Sequence, residues 1–308
     1  MNPQQSGRIL EINGVEVRYS IPGLPAEKLS YVDVFQLIPL IEHLCYSPAA
    51  GKWDPPNILL TGHKGTGKSL LFAHWAQMKN VPYLALDCSE ETWESHIRGG
   101  FVAKQGYTPF VLGTVANAIQ IANEFGFCVL VLEEINALSP QRQKDLNSLT
   151  DFRKKVEVPE LSYRFELLPK ASMLVAGTMN DSQYGGTYEL NEDLKSRFLE
   201  LEIPYPPPGA EKRILIEMVP EAAHMEPVID SLIKIAKETR QEATGYALSP
   251  RDLVQILKLV PRVGLEDALF LVAQKFSSVD RKLVIDRISD ITKMGVFPDL
   301  NRRTEALR

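Results

Sequence analysis

Apolar and polar positions alternate from Arg8 to Ser20 around the pair Asn13-Gly14. That pair tolerates the positive φ angles of a tight turn, so the chain is expected to open with a β-hairpin. Ile21-Pro22-Gly23-Leu24-Pro25 breaks the pattern. From Tyr31 to Cys45 apolar residues recur at helical spacing, ahead of a second break from Ser47 to Pro56. Between Asn57 and Ile203 five short apolar runs, Ile58–Leu60, Tyr83–Leu86, Cys128–Leu132, Met173–Ala176 and Phe198–Ile203, alternate with helical patterns. This rhythm predicts a five-stranded parallel sheet covered by helices. Two stretches interrupt it, Gly99 to Gly113 around Gly106, and Lys154 to Leu168, where Val156–Val158 and Tyr163–Leu167 flank Pro159-Glu160. Both read as inserted β-hairpins. After Pro204-Tyr205-Pro206-Pro207-Pro208 strand signals stop, and Ala210–Met218, Pro227–Lys237, Pro250–Leu259, Leu265–Lys275 and Val279–Met294 predict helices. The expected organisation is a hairpin and linker over residues 1–30, an α/β core over 31–205 and an all-helical lid over 206–308.

Composition narrows the class. A chain of 308 residues with 44% hydrophobic content can bury one medium α/β core and a smaller companion. Its 39 acidic and 34 basic residues leave a net charge of −5, which gives no overall pull toward nucleic acid or anionic membrane. Cys45, Cys88 and Cys128 are widely spaced and odd in number, which fits reduced thiols rather than a disulfide framework. Met1 to Gly7 lacks the charged and apolar regions of a signal peptide, and the longest apolar run, Phe127 to Leu132, is too short to span a bilayer. A soluble, cytoplasmic protein with no membrane association is expected.

The strand at Asn57–Thr61 runs into Gly62-His63-Lys64-Gly65-Thr66-Gly67-Lys68-Ser69, and a helical run starts at Leu70. Strand, glycine-rich loop and helix together make a phosphate-binding loop. The glycines let successive N–H groups curl around phosphates, and the helix N-terminus adds its positive dipole end. Lys68 is placed to reach the β and γ phosphates of a nucleotide, and Ser69 to put its hydroxyl on Mg2+. The predicted fold class follows: a P-loop NTPase αβα sandwich with a parallel five-stranded sheet and inserted hairpins, then an all-α lid. A second signal is Cys128-Val129-Leu130-Val131-Leu132-Glu133-Glu134, a buried strand ending in two carboxylates, where parallel sheets bind ligands. Neighbouring residues on a strand point to opposite sides, which separates their tasks: Glu133 toward Mg2+, Glu134 toward the attacking water.

These residues resemble the AAA+ ATPases, and within them the MoxR-like and dynein-related subfamily, over roughly Leu40 to Leu259. Leu132-Glu133-Glu134-Ile135-Asn136 is similar to that subfamily's Asp-Glu-Ile-Asn run, with Glu133 in place of the usual aspartate. Gly177-Thr178-Met179-Asn180 looks like sensor 1, which implies that Asn180 helps hold the attacking water. Leu194-Lys195-Ser196-Arg197-Phe198 is similar to the segment bearing the arginine finger, which implies that Arg197 serves a neighbouring subunit's nucleotide. Leu248-Ser249-Pro250-Arg251 resembles sensor 2, which implies a helix capped by Ser249 and contact between Arg251 and the γ-phosphate. The resemblance implies Glu134, Lys68, Asn180 and Arg197 as catalytic residues, and Ser69 and Glu133 at the metal. Nucleotide binding would fall to Gly62 through Leu70 and to Arg251, with ATP and Mg2+ as cofactors.

It further implies a homo-oligomeric ring, a hexamer, acting on a protein client, with a von Willebrand factor A domain protein as a typical partner. The two inserts would face a central pore, making Phe101, Lys104, Tyr107 and Phe110 candidate contacts in the first. Arg153, Lys154, Lys155 and Arg164 make the second locally basic. Met179-Asn180-Asp181 also resembles McrB-like GTP- or ATP-driven motors that act on DNA. A third reading is an assembly switch that binds nucleotide with little turnover; intact Glu134 and Arg197 argue against it.

Overall fold

The computed structural model describes residues 6–22, 28–49, 51–103, 106–180, 188–241, 247–277 and 281. They fall into two compact units, one of the described residues up to 62 and from 67 to 203, the other of residues 63–66 and the described residues from 204 onward. Lys104, Asp181 and nearly all of the helix expected over Val279–Met294 lie outside the described residues.

Strand β1 (Ser6–Ile12) turns through Asn13-Gly14 into antiparallel β2 (Val15–Ile21), with Ile12 opposite Val15. Both turn residues have positive φ, 50° and 77°, as a two-residue turn between right-twisted strands requires. Helix α1 (Leu37–Cys45) is shorter than the periodicity from Tyr31 suggests. Gln36 takes a left-handed backbone (φ 55°), and the Asp33 carboxylate accepts the N–H groups of Leu37 and Ile38 at 2.8 and 2.9 Å. That side chain closes the first turn from outside the helix, so the preceding residues do not extend it.

A short ribbon, β3 (Tyr46–Ser47) and β4 (Lys52–Trp53), leads to β5 (Ile58–Thr61), α2 (Lys68–Lys79), β6 (Tyr83–Asp87) and α3 (Glu94–Ile97). Strands β7 (Gly99–Phe101) and β8 (Phe110–Leu112) form the first inserted hairpin, after which α4 (Thr114–Phe125) and β9 (Phe127–Glu133) resume the alternation. Helices α5 (Pro140–Asp145) and α6 (Asn147–Thr150) precede the second hairpin, β10 (Lys155–Val158) and β11 (Tyr163–Glu166). The unit closes with β12 (Ser172–Thr178), α7 (Glu192–Lys195) and β13 (Leu199–Glu202).

The central sheet is wholly parallel in the order β13-β5-β12-β9-β6. Its three inner strands, β5, β12 and β9, are buried at nearly every position because both of their faces are covered. Ile58, Leu60, Val129, Val131, Leu174 and Ala176 share a core with Phe72 and Trp75 of α2. Their neighbours Leu59, Leu130, Leu132, Met173 and Val175 share the opposite core with Val115 and Ile119 of α4. This is the expected P-loop NTPase-like sandwich with its inserted hairpins. One pairing had no sequence signal: β2 lies parallel to β8, Val17 opposite Phe110, which joins the N-terminal hairpin and the first insert into one sheet, β1-β2-β8-β7.

All described elements after β13 are helical: α8 (Pro208–Met218), α9 (Glu226–Gln241), α10 (Pro250–Ala273) and a single 3-10 turn at Pro220–Ala222. Helix α10 breaks at Gly264 (φ 80°, ψ 164°), just after Pro261, whose ring removes a donor from the ladder. Leu215, Ile229, Leu232, Ile256 and Leu269 form this unit's core. No described helix is long and apolar enough to cross a membrane.

Candidate functional site

The four residues of β5 are fully or almost fully buried and end directly at Gly62. Gly62 has φ 127°, and a Cβ built on it would lie 2.2 Å from the Ile203 carbonyl oxygen, so both conformation and space demand glycine. Gly67 enters α2 at φ 90°, and no side chain caps that helix, which leaves its first N–H groups directed at the loop. Lys68 is 7% exposed, and its Nζ donates to the Gly62 carbonyl at 2.7 Å, within the span that the loop encloses. Ser69 and Leu70 follow in the first turn, both half-buried, while Lys64 is exposed. The arrangement can bind an anion through backbone donors, one ammonium and a helix dipole.

Strand β12 lies between β5 and β9: Thr178 pairs with Leu60, and Gly177 with Leu132. The residues that follow β12 therefore emerge between the loop and the two carboxylates. Glu133 ends β9, half-buried and paired with Asp87 of β6. Glu134 leaves the strand in a left-handed backbone, φ 53°, a conformation that costs a non-glycine residue on the order of 1–3 kcal/mol. Three contacts hold the turn. The Glu134 N–H donates to Thr178 Oγ1 at 3.1 Å. Asn180 Nδ2 donates to Glu134 Oε1 at 3.1 Å. Asn136 Nδ2 donates to the Asn180 carbonyl at 3.3 Å. An exposed carboxylate oriented by an amide can accept a proton from water and place that water.

Loop, acidic strand end and amide thus lie at neighbouring strand ends of one sheet. Residues 57–198 match the AAA domain of the dynein-related subfamily. Over 198 residues the chain is 28% identical to an uncharacterized protein, YojN, of Bacillus subtilis (strain 168), an alignment that covers 63% of this chain and 62% of that one. The chain thus spans less than two thirds of that relative's length. Among solved structures, the Thermotoga maritima RuvB Holliday junction branch migration motor is similar at 18% identity and a TM-score of 0.45, over 87% of this chain and 72% of that one.

The remaining candidate residues fall at two other places. Arg197 of the AAA-matching segment precedes β13, whose Leu199 pairs with Ile58, the first residue of β5. The phosphate loop leaves β5 at its other end, about four residues or roughly 13 Å further along. Arg197 donates from Nε to the Asp193 carbonyl at 3.1 Å and from Nη2 to Asp193 Oδ1 at 3.3 Å. Arg251 belongs to the helical unit. There Ser249 caps α10, its side chain accepting the Asp252 N–H while Asp252 Oδ2 accepts the Ser249 N–H at 2.9 Å, and Pro250 fills the first turn. The loop tip, residues 63–66, sits in the same unit: a Cβ built on Gly65 would meet Ser249 Oγ at 2.5 Å and Arg251 Cβ at 3.3 Å. His63 stacks on Tyr205, with centroids 4.4 Å apart and planes 7° apart, and the Arg240 guanidinium lies 4.1 Å from the Tyr205 ring centroid.

One expectation about the inserts changes. Phe110 is fully buried, edge-on to half-exposed Phe101, so it is core rather than a partner contact. Tyr107 is 44% exposed and accepts a hydrogen bond from Arg18 Nη2 at 2.8 Å. The basic residues of the second insert do not form an open positive patch. Arg153 is held by Asp151, Lys155 by Glu157, and Arg164 by Glu157 and Glu166. Lys154 is turned inward, its Nζ donating to Asn57 Oδ1 at 2.7 Å, and burial pulls its pKa down to about 8 against the attraction of Asp54 and Asp151. Sequence reasoning assigned no task to Asn57, Thr178 or Asn136. The only local signal for Asn57 is a polar residue immediately before an apolar strand.

Proposed function

We propose that this chain is an ATPase subunit of a homo-oligomeric ring, a hexamer, that couples ATP hydrolysis to remodelling or maturation of a partner protein. The observation that carries the reading is the Asn180 amide on the Glu134 carboxylate, between the ends of β9 and β12 and beside the phosphate loop's strand. In this mechanism Lys68 and the loop N–H groups bind the phosphates. Glu134 takes a proton from the attacking water, Asn180 orients that carboxylate and its water, and ADP and phosphate leave. Ser69 and Glu133 offer hard oxygen donors suited to Mg2+, a cation that keeps most of its waters and uses few protein ligands. Held there, Mg2+ would supply positive charge against the phosphates. Arg251, beside the loop tip in the helical unit, would contact the γ-phosphate.

Arg197 acts on a neighbouring copy's nucleotide, a role supported by its place at the opposite end of β5 from its own chain's loop. A protein client, such as a von Willebrand factor A domain protein, is favoured over DNA because Lys155 and Arg164 of the basic insert pair with Glu157 and Glu166, and Lys154 is turned inward onto Asn57. The test is capture by the Glu134→Gln variant with ATP, followed by identification of what is retained. A discrete protein released on ADP exchange supports the reading. Nuclease-sensitive DNA, or GTP turnover stimulated by duplex DNA, would replace it with a DNA motor.

A further inference from the structure

Asn57 stands at the foot of β5 and is 7% exposed. Its carboxamide is used at both ends. Nδ2 donates to the Thr150 carbonyl at 2.6 Å and to the Arg197 carbonyl at 3.0 Å, while Oδ1 accepts from Lys154 Nζ at 2.7 Å. Its backbone carbonyl also accepts the Leu199 N–H at 2.8 Å. The chain on both sides of Phe198 is therefore tied to one residue, and Asp193 holds the Arg197 guanidinium on the same short turn.

Lys154 is a costly way to satisfy an amide oxygen. A buried ammonium loses its hydration, and Lys154 also takes a left-handed backbone, φ 42°. An apolar side chain of similar volume would fill the space without the desolvation penalty. What the ammonium adds is direction. A carboxamide can turn its oxygen and nitrogen ends about, but with a cation on one side only the oxygen fits there. The two N–H donors must then face Thr150 and Arg197.

We infer that Asn57, with its orientation fixed by Lys154, is a positioning residue that sets Arg197 for the nucleotide site of a second copy of this chain. The inference rests on the proposed action of Arg197 between copies. It also makes Asn57 specific: an aspartate there would face two carbonyl oxygens with a carboxylate and push the Arg197 backbone away.

The experiment measures ATP turnover and nucleotide affinity of the full chain at assembling concentrations, for Arg197→Ala, Asn57→Asp and Lys154→Met, each alone and mixed with Glu134→Gln. The Glu134→Gln chain has a dead site but an intact Arg197 to lend. Asn57→Asp is expected to lose tenfold or more in kcat, and Lys154→Met several-fold, with nucleotide Kd within twofold of wild type. Mixing with Glu134→Gln should restore turnover, because the damaged chain's own site is sound and receives a well-placed arginine. A merely structural defect would not be cured by a second copy. If Arg197→Ala is rescued but neither Asn57→Asp nor Lys154→Met loses turnover, or their losses are not rescued, the inference is overturned while the reading stands. If Arg197→Ala keeps full turnover, or loses it beyond rescue, the proposed action between copies falls and takes the inference with it. Should Asn57→Asp fail to fold, Lys154→Met, which exchanges a buried ammonium for an apolar chain of similar length, decides alone.

Discussion

At the scale of single residues, buried chemistry sets what the solvent sees. Lys154 has its pKa pulled from an ordinary 10.5 to about 8 by burial. Between those values the unfolded chain binds more protons than the folded one, so stability should rise with pH from about 8 to about 10.5. Below that window the contribution is flat. Urea unfolding of wild type and Lys154→Met at several pH values is expected to show the wild-type rise missing from the variant; parallel curves would contradict the assignment. Burial likewise pushes the thiols of Cys45 and Cys88 up to about 12. Together with buried Cys128 they should resist a thiol reagent in the native protein and react on unfolding. At Gly62, where an added Cβ would strike the Ile203 carbonyl oxygen, Gly62→Ala should abolish nucleotide binding by displacing the loop. This residue was legible in the sequence because the loop motif is local. Asn57 was not, since its partners Thr150 and Arg197 lie 93 and 140 positions away.

At the scale of elements, start and stop signals decided more than periodicity. The apolar spacing from Tyr31 carried no sign that the Asp33 carboxylate would take the first N–H groups of α1. Asp33→Ala is expected to cost about 1 kcal/mol in denaturant stability, as loss of such a cap generally does. An unchanged midpoint would mean that solvent serves those N–H groups equally well. The helical unit shows the opposite case: Ser249-Pro250 announced the start of α10, and Pro261 and Gly264 account for the break between its halves. The pairing of β2 with β8 brings residues more than ninety positions apart into one sheet, and no window of sequence encodes such a partner. For the site, Thr178→Val should be informative. It keeps the shape of β12 but removes the acceptor for the Glu134 N–H. Turnover should fall about tenfold or more while nucleotide affinity holds, because the turn that aims the carboxylate loses one support.

At the scale of the whole molecule, strand order assembles the chemistry. Each motif was legible by itself, but only the insertion of β12 between β5 and β9 puts Asn180 between the phosphate loop's strand and the carboxylate pair. The same order sets Arg197 just before Leu199, the partner of the first residue of β5, at the far end from the loop, and under the proposed function that placement would tie hydrolysis to assembly of copies. Turnover per chain should accordingly rise with protein concentration, while Arg197→Ala should stay slow at every concentration and still bind nucleotide. The central claim is that Glu134 drives hydrolysis at a site bound by the phosphate loop. It is tested most directly by measuring ATP turnover and ATP binding of Glu134→Gln beside wild type, at a concentration where copies associate. The account predicts wild-type affinity with turnover reduced by two orders of magnitude or more. Turnover equal to wild type would contradict it.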